Sequence, residues 1–135
     1  MREVREVMKL EINNNIQIDN ETEMIHEIHD CQFIEKGSYV YLNYINAEGE
    51  RVVIKANHEE LLMTRFSNPK SVMRFHRETP ALVNIPTPLG VQHLITETSH
   101  YQFDLSQQRL HINYVLKQTE TGDCFANYEL RIQWY

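Results

Sequence analysis

Two stretches near the C-terminus alternate between apolar and polar residues, and this pattern limits the fold more than any other feature of the chain. The apolar positions are 110, 112, 114 and 116 in the first stretch and 126, 128, 130, 132 and 134 in the second. Successive side chains of a β-strand point to opposite faces, so a period of two predicts strands with one buried face. Thr121-Gly122-Asp123 separates the stretches and predicts the turn of a β-hairpin.

Similar strand-like segments, each ended by turn-forming residues, occur along the rest of the chain. The four glycines (Gly37, Gly49, Gly90 and Gly122) all fall at predicted turns and none falls inside a predicted strand. Residues 22–35 fit either a strand or a short helix, because Met24, Ile25 and Ile28 suit both periods. The other predicted strands are Met8–Ile18, Tyr39–Ile45, Arg51–Ala56, Leu61–Phe66 and Val72–Arg77.

The stretch from Leu82 to Leu105 predicts a turn followed by one long strand. Pro86 and Pro88 lack a backbone N–H and interrupt a hydrogen-bonded ladder, and Gly90 permits a tight bend. The β-prone segment from Gly90 to Leu105 is too long for a flat edge strand, so it predicts a bent wall of a barrel.

These segments together predict an all-β protein with nine or ten strands and no long helix. Strands joined by short turns pair antiparallel, and such a series closes best as an up-and-down barrel of about eight to ten strands. The 135 residues suit one domain, here predicted as a single β-barrel over residues 1–135.

Charge and cysteine content narrow the range of partners and compartments. The net charge is −6 and the 13 lysine and arginine residues are scattered, so we expect no binding to nucleic acid. The two cysteines, Cys31 and Cys124, are far apart in sequence, and the charged N-terminal segment has no apolar run long enough for a signal peptide or a membrane span. We therefore expect a cytoplasmic protein with free thiols and no membrane association.

Five short motifs extend through nearly the whole chain, namely Tyr41-Leu42-Asn43-Tyr44, Leu61-Leu62-Met63-Thr64-Arg65, Met73-Arg74-Phe75, Thr87-Pro88-Leu89-Gly90 running to Thr98, and Ile112-Asn113-Tyr114. Together they resemble the DUF1934 family, a group of small bacterial proteins that includes the YwiB-like proteins. That resemblance implies a calycin-like, lipocalin-shaped β-barrel of cytoplasmic origin in Gram-positive bacteria, and it implies no established activity.

No residue cluster has the spacing of a catalytic or metal site, so we predict no catalytic residues, no metal and no cofactor. His26 and His29 are three residues apart, whereas a zinc-protease helix needs a spacing of four. On a strand these two histidines would point to opposite faces. Cys31 has no local base or positive charge that would activate it, so we expect a buried, unreactive thiol.

Arg65 is the residue most strongly indicated as a ligand-binding group. Its parity partners Leu61 and Met63 are apolar, which aims the guanidinium toward the barrel interior, where an unpaired charge is costly. Its partner is expected to be a backbone carbonyl group or a carboxylate at the barrel's end, or else the carboxylate or phosphate of a ligand.

Five hydroxyl-bearing residues have a parity that can place them in the same interior. An arginine and several hydroxyl groups inside an apolar cup would suit a small amphipathic acid. Tyrosines at such positions are also common as plain core residues whose hydroxyl groups reach the rim. The five residues are Tyr44, Thr96, Thr98, Tyr114 and Tyr128.

Three functions remain open. The first is a barrel that binds a small amphipathic or anionic molecule in its interior without catalysis, and it requires a cavity beside Arg65. The alternative is a non-catalytic barrel that binds a protein partner or forms a homodimer, and it requires an exposed apolar patch or a long unpaired edge strand. An enzyme is the third and requires two titrating groups with opposed pKa shifts in one pocket.

Overall fold

The structure, a computed structural model, describes residues 3–135 and consists of ten β-strands. Residues 1 and 2 of the predicted barrel domain lie outside the described residues. The strands are β1 (Glu3–Ile18), β2 (Glu21–Lys36), β3 (Tyr39–Ile45), β4 (Arg51–Ala56), β5 (Glu60–Arg65), β6 (Ser71–His76), β7 (Ala81–Thr87), β8 (Gly90–Asp104), β9 (Arg109–Gln118) and β10 (Cys124–Trp134).

Each strand pairs antiparallel with the next along the chain, and β1 pairs with β10 to close the sheet into a barrel. This arrangement confirms the predicted all-β, up-and-down antiparallel barrel, with a strand number at the upper end of the predicted range. Within residues 3–135, no helix has the length and apolar character needed to cross a membrane.

The uncertain segment 22–35 lies entirely within β2, so the helical alternative is excluded. Met24 and Ile28 point to the outer face and are 75% and 54% exposed, and Ile25 on the other face is 38% exposed. The first half of β2, which contains these three residues, has exposed apolar side chains on both faces, and this explains why its sequence lacks a clear period of two.

The prediction of a turn followed by one long strand is wrong for residues 81–87, which form the strand β7. β7 continues through Pro86, which is aligned with Val91 of β8, so the turn consists of Pro88 and Leu89 alone. β7 shares only one paired position with β6, at Asn84, so the missing N–H of Pro86 interrupts no ladder with β6. β8 is bent as expected, with a register shift between Thr98 and His100.

Aromatic side chains fill one end of the barrel, which we call the closed end. Trp134 is fully buried there, and its ring centroid lies 6.0 Å from that of Phe33 and 6.4 Å from that of Phe103. The hydroxyl group of Tyr101 donates a hydrogen bond of 2.7 Å to the backbone carbonyl of Asn57 at the same end. We call the opposite end of the barrel, where β3 and β5 end, the open end.

Candidate functional site

A cavity of about 380 Å³ lies at the open end, where β3 and β5 end and β4 and β6 begin. The turn after β3 forms one side of it and β2 forms another. Its lining residues are Glu27, Tyr44, Asn46, Ala47, Glu48, Val52, Met63, Arg65, Ser71, Met73 and Ile85.

The inner part of the cavity is apolar. Val52 is almost fully buried, and Met63, Met73 and Ile85 pack against the barrel core. Two of these four side chains are methionines, whose flexible thioethers adapt to ligands of different shape. The cavity therefore offers an apolar floor below a charged and polar rim.

Arg65 lies at the rim of this cavity, at the last residue of β5. Its Nε atom is 3.8 Å from Oε1 of Glu50, and the arginine side chain is 47% exposed. A solvent-exposed pair at this distance contributes about 0–1 kcal/mol. Arg65 thus lies beside a carboxylate at the barrel's end, at the border of the interior. Its terminal nitrogens have no hydrogen bond within residues 3–135.

Tyr44 lies deeper, with its ring stacked on that of His29 at a centroid distance of 4.4 Å. Burial, and then the nearby Glu27 carboxylate, raise the pKa of Tyr44 to about 12, while the Arg65 guanidinium lowers it. The tyrosine is therefore a neutral hydroxyl group at physiological pH, and charges of both signs lie close to it.

Glu27 and His29 form a pair on the inward face of β2. Nε2 of His29 is 3.0 Å from Oε1 of Glu27, while the other carboxylate oxygen has no partner in the described part of the chain. His26 points to the outer face and lies 2.7 Å from Glu11, so the two histidines are on opposite faces, as expected for a strand. The described residues contain no group of three or more side chains that could hold a metal ion.

Four of the predicted site residues do not line this cavity, and Thr96 and Thr98 are two of them. Thr96 is fully buried, and its hydroxyl group donates a hydrogen bond of 2.6 Å to the backbone carbonyl of Arg74. The Thr98 hydroxyl group is also buried and has no hydrogen-bond partner within residues 3–135. Thr96 therefore joins β8 to β6, which is a structural role.

Tyr114 and Tyr128 also lie outside the cavity and stack on each other with ring centroids 4.6 Å apart. The Tyr114 ring also lies 4.3 Å from that of Phe75, and burial raises the pKa of Tyr114 above its usual range. Tyr114 belongs to the barrel core and Tyr128 packs against it, in agreement with the alternative that these tyrosines are core residues.

Sequence reasoning identified Arg65 and Tyr44 but not the acidic residues near them. Glu27 was not predicted because its segment fitted both a strand and a helix, so the direction of its side chain could not be assigned. Glu48 and Glu50 lie in or beside a turn, where the period of two gives no orientation. A correct assignment of β2 would have placed Glu27 on the inward face.

Cys31 is buried as expected. Burial, and then the neighbouring Asp30 carboxylate, raise the pKa of its thiol to about 11. The thiol is therefore protonated at neutral pH and is a weak nucleophile. Cys124 is exposed, and neither cysteine forms a disulfide bond.

Comparison with known proteins gives a family and a fold. Residues 10–132 match the profile of a family described as "Domain of unknown function (DUF1934)". The crystal structure of the YwiB protein from Bacillus subtilis matches with a TM-score of 0.76 and 21% sequence identity, covering 96% of this chain and 91% of that chain. A search of curated proteins finds no match. At this identity the structural similarity supports a shared fold alone.

Proposed function

Because the chain belongs to the DUF1934 family, a domain family of unknown function, its function has to follow from its own geometry, and we propose that it binds a small amphipathic molecule at the open end of the barrel. The bound molecule is held without catalysis. The observation that carries the proposal is the cavity beside Arg65, with its apolar floor and charged rim.

The size and lining of the cavity support this function. A volume of about 380 Å³ is within the range of small-molecule sites, roughly 300–1,000 Å³. Met63, Met73 and Ile85 would contact the apolar part of the ligand, and Tyr44 and the charged residues of the lining would contact its polar part. The two free cysteines support a reducing compartment, and we place the protein in the cytoplasm.

Native mass spectrometry on protein purified gently from its own host tests this proposal. We expect a discrete extra mass that disappears on denaturation. Ile85→Trp should abolish it, because the larger side chain fills the cavity. Leu82→Trp is the matched control, since Leu82 lies on the same strand but is 65% exposed on the outer face.

Methionine methyl signals in NMR spectra provide a second readout of the same cavity. An extract of host cells should shift the signals of Met63 and Met73 and leave that of the exposed Met24 unchanged. If the wild-type protein shows no extra mass and the signals of Met63 and Met73 do not shift, ligand binding in the cavity is contradicted.

Self-association is a second candidate function, favoured by the free edge of β2. β2 pairs with β1 along its whole length but with β3 only from Gln32 to Lys36, so residues 21–31 have one unpaired edge. Unpaired edges are templates for addition of a strand from another chain. The exposed Met24 and Ile28 on this segment would add apolar contacts.

Light scattering after size-exclusion chromatography tests the second candidate. A β2-mediated homodimer should dissociate when Met24 and Ile28 are both replaced by lysine, because lysine on an edge strand opposes strand addition. Leu82→Lys, on the outer face of β7, should leave the dimer intact. A wild-type protein that stays monomeric at its solubility limit would exclude self-association.

A further inference from the structure

The groups around the cavity carry more negative than positive charge. Glu27 and Glu48 line it together with Arg65, and Glu50 lies beside the arginine. Arg65, the only cationic side chain among the described residues that line the cavity, is thus already next to a carboxylate. An anionic ligand that reached Arg65 would also approach the carboxylates of Glu27, Glu48 and Glu50.

Acceptors in this cavity lack donors. Within residues 3–135, Oε2 of Glu27 has no partner, and the Glu48 carboxylate has no ion pair or hydrogen bond. Tyr44 is only 7% exposed, it lines the cavity, and its hydroxyl group has no hydrogen-bond partner in the described structure. The hydroxyl group of Tyr44 therefore faces the cavity with its hydrogen-bonding capacity unused, and a bound molecule that lies there can supply the partner.

We propose that the polar group of the ligand is a protonated amine, which donates hydrogen bonds to Glu27 and Tyr44 while its apolar part packs on Met63, Met73 and Ile85. This inference rests on the proposed binding function and specifies its ligand class as an amphipathic amine. It reverses the acidic ligand expected from Arg65 alone.

An ammonium group fits these acceptors for three reasons. It carries three donors and no acceptor, which complements a carboxylate oxygen and a phenolic oxygen. Its hydrogen bond to a carboxylate is charge-assisted and therefore stronger than a bond between neutral groups. Arg65 remains beside Glu50 at the rim and limits the excess of negative charge at the entrance.

Three probes with the same alkyl chain and different head groups test this inference, namely octylammonium, octanoate and octanol. Binding is followed by the NMR methyl signals of Met63 and Met73, with Met24 as the internal control. We expect octylammonium to bind the wild-type protein about tenfold more tightly than either other probe, which is the scale of one charge-assisted hydrogen bond.

Two isosteric variants assign the preference to the cavity. Glu27→Gln removes the charge and keeps the shape, so the tenfold preference for octylammonium should disappear. Glu23→Gln changes the net charge of the protein equally, but Glu23 lies on the same strand outside the cavity lining, so the preference should remain.

The outcomes separate the ligand class from the proposed function. If octanoate or octanol shifts Met63 and Met73 at concentrations as low as octylammonium does, the amine is overturned and binding in the cavity stands. If none of the three probes shifts these two signals, the cavity binds no alkyl ligand and both proposals fail. A preference that survives in Glu27→Gln would also overturn the assignment to this carboxylate.

Discussion

Replacing Trp134 by alanine is expected to lower the free energy of unfolding by about 3–5 kcal/mol, the usual cost of truncating a large buried aromatic side chain. Trp134 is fully buried at the closed end, between Phe33 and Phe103. Its removal leaves a void that these rings can fill only in part. Urea denaturation followed by circular dichroism measures the change, since the chain has no other tryptophan for fluorescence.

Two controls distinguish packing from other effects of this substitution. Trp134→Phe should cost much less than Trp134→Ala, because the phenyl ring keeps most of the contacts and the indole N–H has no hydrogen-bond partner among the described residues. Tyr135→Ala, at the next position and 53% exposed, should be nearly neutral. A cost below about 1 kcal/mol for Trp134→Ala would mean that the closed end is not a packed core.

Replacing Thr96 by valine is expected to cost about 1–3 kcal/mol, because it removes the hydrogen bond that this fully buried residue donates to the partly buried carbonyl group of Arg74. The Thr96 hydroxyl group donates to the carbonyl of Arg74 where the sheet is weakest, since β6 and β7 are aligned only at Val72 and Asn84. Hydrogen exchange should therefore become faster in β6 and β7 than in the other strands.

Thr98→Val is the matched control on the same strand. The Thr98 hydroxyl group is buried and has no partner within the described residues, so valine removes an unsatisfied polar atom and should be neutral or stabilising. Thr96→Ser should retain most of the stability, because serine keeps the donor. Equal losses in Thr96→Val and Thr98→Val would contradict a specific role for the bond to Arg74.

The strands were predictable wherever their two faces differ in environment. β9 and β10 alternate because one face packs in the barrel and the other meets solvent, so their limits follow from the sequence. The first part of β2, residues 21–31, extends beyond the pairing with β3 and has exposed residues on both faces. Its two faces therefore do not differ in environment, and no alternation of apolar and polar residues results. Pro86 was predicted to lie in a turn because proline cannot donate to a hydrogen-bonded ladder. In the structure the edge of β7 that faces β6 is almost unpaired, and the sequence alone does not reveal this.

The candidate site was predictable only in part. Arg65 and Tyr44 were identified because parity assigns them to the inner face and their chemistry suits ligand binding. Parity also indicated Thr96 and Tyr114 as site residues. Both lie on the inner face of the barrel, but they pack in its core and do not line the cavity. An inward direction is a local property, whereas a place in the cavity depends on position along the barrel axis.

The sequence by itself determined most of the strands, their antiparallel order and most of the inward-facing residues, because side-chain alternation and turn chemistry act between neighbours in the chain. It did not predict β7, where Pro86 and Pro88 indicated a turn. Only the tertiary structure decided which inward residues share a cavity. Barrel closure and the register of β2 bring Glu27 near Tyr44 and Arg65, and they leave Trp134 to fill the opposite end. These positions depend on contacts between strands far apart in sequence, which no local pattern encodes.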